Sequence, residues 1–270
     1  MKYIREYQIF EASATAAALT PEQIEWLDEC VRESWKLNPQ TGLINVDGDF
    51  WCREQRLTDF KGVKFGKVSG DFYCYRNELT GLEGAPQEVG RSFLCNDNEL
   101  TTLVGAPQTV GVSFLCYRNE LTTLVGAPKT VNGNFSCRDN ELTSLEGAPK
   151  TVNGVFSCAD NELTSLEGAP QAVSGDFICS DNVLTSLVGA PQSVRGCFYC
   201  EDNPVSESTL DSIFELMKNG KPYQQALEEY WPKMSNEDRA LMYKEMSNLS
   251  PEDIRKYKAL ATYNNIKGYL

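Results

Sequence analysis

The sequence predicts a repeat solenoid: coils stacked into one parallel β-sheet of about eight strands, with a non-helical back and a helical cap at each end. Three observations predict it. First, the pattern G-x-F-x-C-x-x-N-x-L-T-x-L-x-G-A-P-x-x-V returns every 21 residues, carrying Phe50, Phe72, Phe93, Phe114, Phe135, Phe156, Phe177 and Phe198, with only the first step at 22. A fixed period of roughly 20–29 residues marks units that bury a core only by stacking. Second, each Phe is followed two residues later by Cys, from Cys52 to Cys200. That spacing puts both side chains on one face of a strand and the residue between them on the other. Third, the connecting segments carry six Gly-Ala-Pro blocks, beginning at Gly84. Proline forbids a helix interior and pushes the preceding alanine to extended conformations, so turns and extended segments form the back.

Residues 1–47 read as an N-terminal helical cap. Little pattern is present before Leu19; Thr20-Pro21-Glu22-Gln23 then enters a helix, with Thr as N-cap, Pro in the first turn and Gln three after the cap. Ile24, Leu27, Val31 and Trp35 follow at helical spacing, and Asn38-Pro39 ends the run. Leu43–Val46 reads as a lead-in strand. A solenoid exposes its core at an uncovered end, which gives this helix its purpose.

Residues 48–205 form the eight coils. Three residues after each Cys stands an Asn, at Asn77, Asn98, Asn119, Asn140, Asn161, Asn182 and Asn203. A buried amide at one repeated position needs partners, and the backbone of the adjoining coil can supply them. Leu79 and its equivalents then return to the core. Residues 206–270 carry helix signals: Leu210, Ile213, Phe214 and Met217 on one face, a stop at Asn219-Gly220, and entries at Ser235 and Ser250. Their expected role is a C-terminal helical cap, with a small effector or oligomerisation module as the alternative.

The F-x-C-x-x-N-x-L core resembles the L-x-L-x-x-N-x-L core of leucine-rich repeats, with Phe and Cys in the two strand positions. The L-T-x-L that follows is similar to the short-period bacterial class of that family. The Gly-Ala-Pro blocks and the Cys column resemble repeat proteins of tailed phages. One departure stands out. The Val column (Val68, Val89, Val110, Val131, Val152, Val173, Val194) precedes Phe by four residues, where the family's usual spacing is three.

Composition narrows the function. A net charge of −13 argues against a nucleic-acid partner, since phosphate contacts need a basic surface. No apolar run approaches the ~18–20 residues of a membrane span, and the first residues lack the apolar segment of a secretory signal. A soluble cytoplasmic protein is expected, in the host bacterial cytoplasm if the source is a phage. Eight of the ten cysteines share one column. Parallel neighbours at ~4.8 Å do not suit a disulfide, which wants Cβ atoms ~3.8 Å apart. Buried free thiols are therefore expected, with Cys197 outward and reactive and Cys30 the second candidate.

No histidine is present, which removes Ser/His/Asp and Cys/His nucleophile pairs. Cys197-x-x-Cys200 has no second pair to complete a zinc site. Glu78, Glu99, Glu120, Glu141 and Glu162 form a column, as do Asp139, Asp160, Asp181 and Asp202; they read as solvated edge charge. Some bacterial leucine-rich-repeat effectors carry a cysteine-dependent ubiquitin ligase, but residues 206–270 hold no cysteine. Neither a catalytic residue nor a cofactor is expected.

What remains is a surface for another protein. The outward columns give Trp51, Tyr73, Leu94, Leu115, Ile178 and Tyr199, then Arg53, Tyr75 and Tyr117, with Arg76 and Arg118 beyond. Aromatic and Arg side chains dominate binding hot spots. Here they crowd the first four coils, whereas Ser136, Ser157, Ala159 and Ser180 occupy the later ones. The expectation is a non-enzymatic protein-binding module. A structural or assembly component of a phage particle is the alternative.

Overall fold

Residues 18–184, 189–191, 193–199 and 202–204 are described by the computed structural model. The helices expected over 206–270 lie outside the described residues, as does most of the chain before Leu19. Helix α1 (Pro21–Cys30) opens the described chain, followed by strands β1 (Ser34–Leu37), β2 (Ile44–Asp47), β3 (Phe50–Trp51) and β4 (Phe65–Val68). From there each coil contributes two short strands, one on Phe and one on Val. The result is a parallel β-solenoid with a 21-residue period.

The ladder through Phe has eight strands, from β3 to Phe198–Tyr199, paired in parallel with Phe opposite Phe throughout. A second parallel ladder, not expected from the sequence, runs along the Val column from β2 to Ser193–Val194, with β1 antiparallel at its edge. Its origin is the four-residue step from Val to Phe. The step leaves room for a bend between two extended pairs, so Val anchors its own strand instead of leading into the next.

Between the ladders lies a core with strict columns. Phe50, Phe72, Phe93, Phe114, Phe135, Phe156 and Phe177 have no exposed surface, nor do the cysteines from Cys52 to Cys179. The rings from Phe72 to Phe177 stack face to face with centroids 5.3–5.5 Å apart. Buried Leu side chains close each coil from the third side.

The Asn column ties coil to coil. Asn98 donates from Nδ2 to the Cys74 and Cys95 carbonyls, each at 3.0 Å, while its Oδ1 accepts the Leu79 N–H at 3.1 Å. Asn161 repeats this with Cys137, Cys158 and Leu142 at 3.1, 3.1 and 3.0 Å. A further column, missed in the sequence, lies just before each Phe. There a side-chain oxygen of Asp49, Asp71, Ser113, Asn134 or Asp176 accepts the N–H at the same position of the next coil. Asp, Ser and Asn share only a short side chain with an acceptor oxygen one or two bonds beyond Cβ, so no single letter marks the column.

The Gly-Ala-Pro corner is non-helical, as expected. Gly147 sits at φ +92, and a Cβ there would lie 2.6 Å from the Leu124 carbonyl of the coil before. Only glycine allows that turn and that approach.

The N-terminal cap differs from the sequence reading. The capping box of Thr20 and Gln23 forms, but α1 stops at Cys30 and Trp35 stands on a strand. Val31 is already extended and bridges Phe50 antiparallel, so the chain leaves the helix to cover the open edge of β3. Pairing that edge outweighs the helical periodicity of Val31 and Trp35. The core-facing side of α1 is Trp26, Leu27 and Cys30, with the Trp26 ring edge-on to Phe50 at 5.4 Å. Its indole N–H donates to Gln55 at 2.8 Å.

Candidate protein-binding face

The residue between Phe and Cys has one direction available to it, away from the core. Register then brings equivalents from successive coils side by side. Trp51 and Tyr73 stack with centroids 4.0 Å apart and planes 21° apart. Tyr75 meets Tyr73 edge-on at 6.3 Å. Leu94 and Leu115 continue the row, opposite one another in adjacent strands. These outward side chains are half-buried, because each covers part of its neighbour.

Arginines are woven through the rings. Arg53 donates from Nη1 to the Tyr75 hydroxyl, and its guanidinium lies 5.4 Å from the Trp51 centroid and 5.6 Å from that of Tyr75. Arg32, from the cap, lies 5.3 Å from the same Trp51 ring. Arg138 covers Tyr117 at 5.0 Å. A guanidinium over an aromatic face gains cation–π attraction while its N–H edge stays available for an acceptor. Arg76 pairs with Glu54 at 3.0 Å, and Arg118 lies 3.7 Å from Asp97 and 3.6 Å from Asp139.

The face is anchored from beneath. Asp71 is buried; its Oδ2 accepts the Tyr73 hydroxyl at 3.1 Å and lies 3.5 Å from exposed Arg91. Burial, together with that hydrogen bond to a carboxylate, pushes the Tyr73 hydroxyl up to about 12. Tyr73 therefore stays neutral, a fixed donor at any ordinary pH.

Of the residues expected on this face, Trp51, Arg53, Tyr73 and Tyr75 form one contiguous group with Arg76 beside it. Tyr117 and Arg118 lie two coils on, beyond Leu94 and Leu115. Ile178 and Tyr199 are paired neighbours at the far end of the same ladder, separated from the rest by Ser136 and Ser157. Sequence reasoning missed Arg32 and Arg138. Arg138 shares a column with Arg53 and Tyr117 and was open to discovery there. Arg32 lies outside the repeat, and nothing in its spacing connects it with Trp51.

The nine described cysteines are free thiols. Burial holds the thiols from Cys52 to Cys158 well above their usual range. Cys74, Cys116 and Cys179 each donate to a carbonyl of the next coil at 3.3 Å. Cys30 is also buried, beside Gln55, and burial raises it to about 11, which removes it as a candidate reactive thiol. Cys197 is half-buried, with its backbone N–H bonded to Asp176. Among the described residues no group of three or more His, Cys, Asp or Glu side chains is placed to hold a metal ion. No described helix is long and apolar enough to cross a membrane. No protein-family model, curated protein or solved structure matches the chain.

Proposed function

We propose that this chain is a non-enzymatic protein-binding module, acting through the outward face of its Phe ladder and related to the short-period bacterial and phage leucine-rich repeats it resembles. A protein of the bacterial cytoplasm is the partner this reading favours. The observation that carries it is the assembly around Trp51. Four rings and guanidiniums, Trp51, Tyr73, Tyr75 and Arg53, are held against one another by strand register and by Arg32 from the cap. Side chains pre-positioned in this way lose little entropy on binding, and Trp, Tyr and Arg are the residues that supply most interface energy.

Strand propensity alone would favour aromatic residues equally in every coil. It does not account for their replacement by Ser136, Ser157 and Ala159. The test is alanine substitution of Trp51, Tyr73 and Tyr117 together, followed by affinity capture and mass spectrometry. Partner capture is expected to disappear while the ladder stays folded, each anchor costing about 2 kcal/mol or more. Capture that survives the triple variant but is lost on deletion of residues 206–270 moves the working surface to the tail.

A further inference from the structure

The column just outside the aromatic row is backbone-constrained in an unusual way. Glu54, Arg76, Asp97, Arg118, Asp139, Asp160, Asp181 and Asp202 all have φ between +52 and +58. Asp suits this left-handed conformation, whereas Arg and Glu do so less readily. In the first coils the column alternates in sign, and its arginines are bridged to neighbouring carboxylates. From Asp139 onward it is carboxylate after carboxylate, at the ~4.8 Å spacing of parallel strands. Arg138 reaches Asp139 at 3.8 Å. Among the described residues no cation pairs with Asp160, Asp181 or Asp202. Burial and the charges of Asp139 and Asp181 raise the Asp160 carboxyl above its ordinary range.

The opposite excess lies at the other end of the same face. Arg32 and Arg53 both lie over Trp51, and among the described residues neither forms a salt bridge, although Glu54 lies near Arg53. In a chain with 38 acidic and 25 basic residues, two guanidiniums without a salt bridge at one end of a face, and three carboxylates without one at the other, are not a shortage of counter-charge. Each end carries what the other lacks.

We propose that this face pairs with the same face of a second copy of the chain, antiparallel, about a two-fold axis between the fourth and fifth coils. The proposal rests on the reading of the face as a binding surface and names its occupant. A two-fold arrangement places the first coil over the eighth and the second over the seventh, so Arg32 and Arg53 approach the Asp181 and Asp202 of the partner copy. The apolar row is complementary in the same sense: Trp51 and Tyr73 meet Tyr199 and Ile178, while Leu94 and Leu115 meet the small Ser157 and Ser136. Such an interface is isologous, with every contact made twice. Eight strands make a face about 34 Å long. A strip of that length, two or three side chains wide, falls short of the ~800 Å² per partner of a standard interface, so the dimer is a weak, concentration-dependent one.

The test is sedimentation velocity of the full chain over a concentration series, at low and high salt. Wild-type protein is expected to dimerise, less so in high salt. The pair Arg32→Glu with Arg53→Glu is expected to raise the dimer dissociation constant by more than ~10-fold, as is the pair Asp181→Arg with Asp202→Arg. Arg already occupies this left-handed position at Arg76 and Arg118, so the backbone accepts the second pair. Mixing the two variants is decisive: each then meets a face of opposite sign on both halves, and a heterodimer is expected where neither variant alone associates. Misfolding cannot produce that rescue.

A wild-type chain that stays monomeric throughout the series overturns the self-pairing. If that monomer still binds a foreign protein, and loses it in the Trp51, Tyr73 and Tyr117 triple variant, the face keeps its binding role with a different occupant. Self-association that the charge reversals leave unchanged and mixing does not rescue puts the contact elsewhere and overturns the proposal.

Discussion

The second to fourth coils and the fifth to seventh share one interior and carry different exteriors. Inside, the columns of Phe, Cys, Leu, Val and Asn pass from one half to the other without a change of residue or of burial, apart from small variation in the amides. Outside, rings and alternating charges give way to Ser, Ala and an unbroken run of Asp. The difference separates two kinds of selection on one backbone. The repeat fixes what stacking requires and leaves the outward positions free, so what differs there reflects something other than folding.

The interior half of that comparison has the largest expected effect. Asn98→Ala and Asn161→Ala each leave one buried N–H without its acceptor and remove one of the two amides that donate to each of two Cys carbonyls. With about 1–3 kcal/mol for the unsatisfied N–H and about 0.5–1.5 kcal/mol for each lost hydrogen bond, both are expected to cost about 3 kcal/mol. If the interiors are equivalent the two losses match in urea melts. A much smaller loss for Asn161 would show that the later coils are held together differently.

Much of this was legible from the sequence because a 21-residue unit repeated eight times turns single weak signals into columns. Phe and Cys two apart, repeated eight times, define a strand face that neither residue would define alone. The Asn column could be assigned its backbone partners on the same grounds. Where the repeat ends, so did legibility. Val31 and Trp35 satisfy a helical period, but the open edge of β3 takes Val31 into extended pairing, and an edge has no sequence signature. The Val ladder was overlooked because two-residue strands are too short to show alternation. On the candidate face the residues within the repeat were found, whereas Arg32, brought to Trp51 by the cap, was not.

Charge substitutions sharpen the exterior half. Arg118→Asp makes the early column resemble the late one by joining Asp97 and Asp139 into a longer carboxylate stack. Arg118 is 57 % exposed and its ion pairs are long, so a loss within about 1 kcal/mol is expected. The loss should shrink in high salt, where exposed charges are screened. A loss that salt leaves unchanged would mean that Arg118 acts through its stem and not its charge.

The smallest effect belongs to Asp160. Its carboxyl is raised by burial first and by Asp139 and Asp181 next, so the folded state holds that proton more tightly than the unfolded chain does. The penalty is therefore full above the folded pKa and vanishes as pH falls below the ordinary value of 3.8. Asp160→Asn is expected to raise the melting temperature slightly at neutral pH, with the charge-dependent part of the gain gone below that value. A gain that is the same at both pH values would trace to the left-handed backbone, which Asn also suits, and not to the stacked charge.

The amide at Asn98 and its equivalents has a consequence for how such a gene can change length. Each Asn closes a joint between one coil and the coil before it, and every joint has the same shape. Residues 114–134 could be duplicated or excised as a block, and the new neighbours would meet with the same partners as the old. Unequal recombination in steps of 63 base pairs thus yields folded proteins at once. An added coil in the middle lengthens the outward face by about 4.8 Å and separates its cationic and anionic ends equally from the centre, so copies of one length still match one another. Copies of different length do not, and chain length itself becomes a means of telling kin from near-kin.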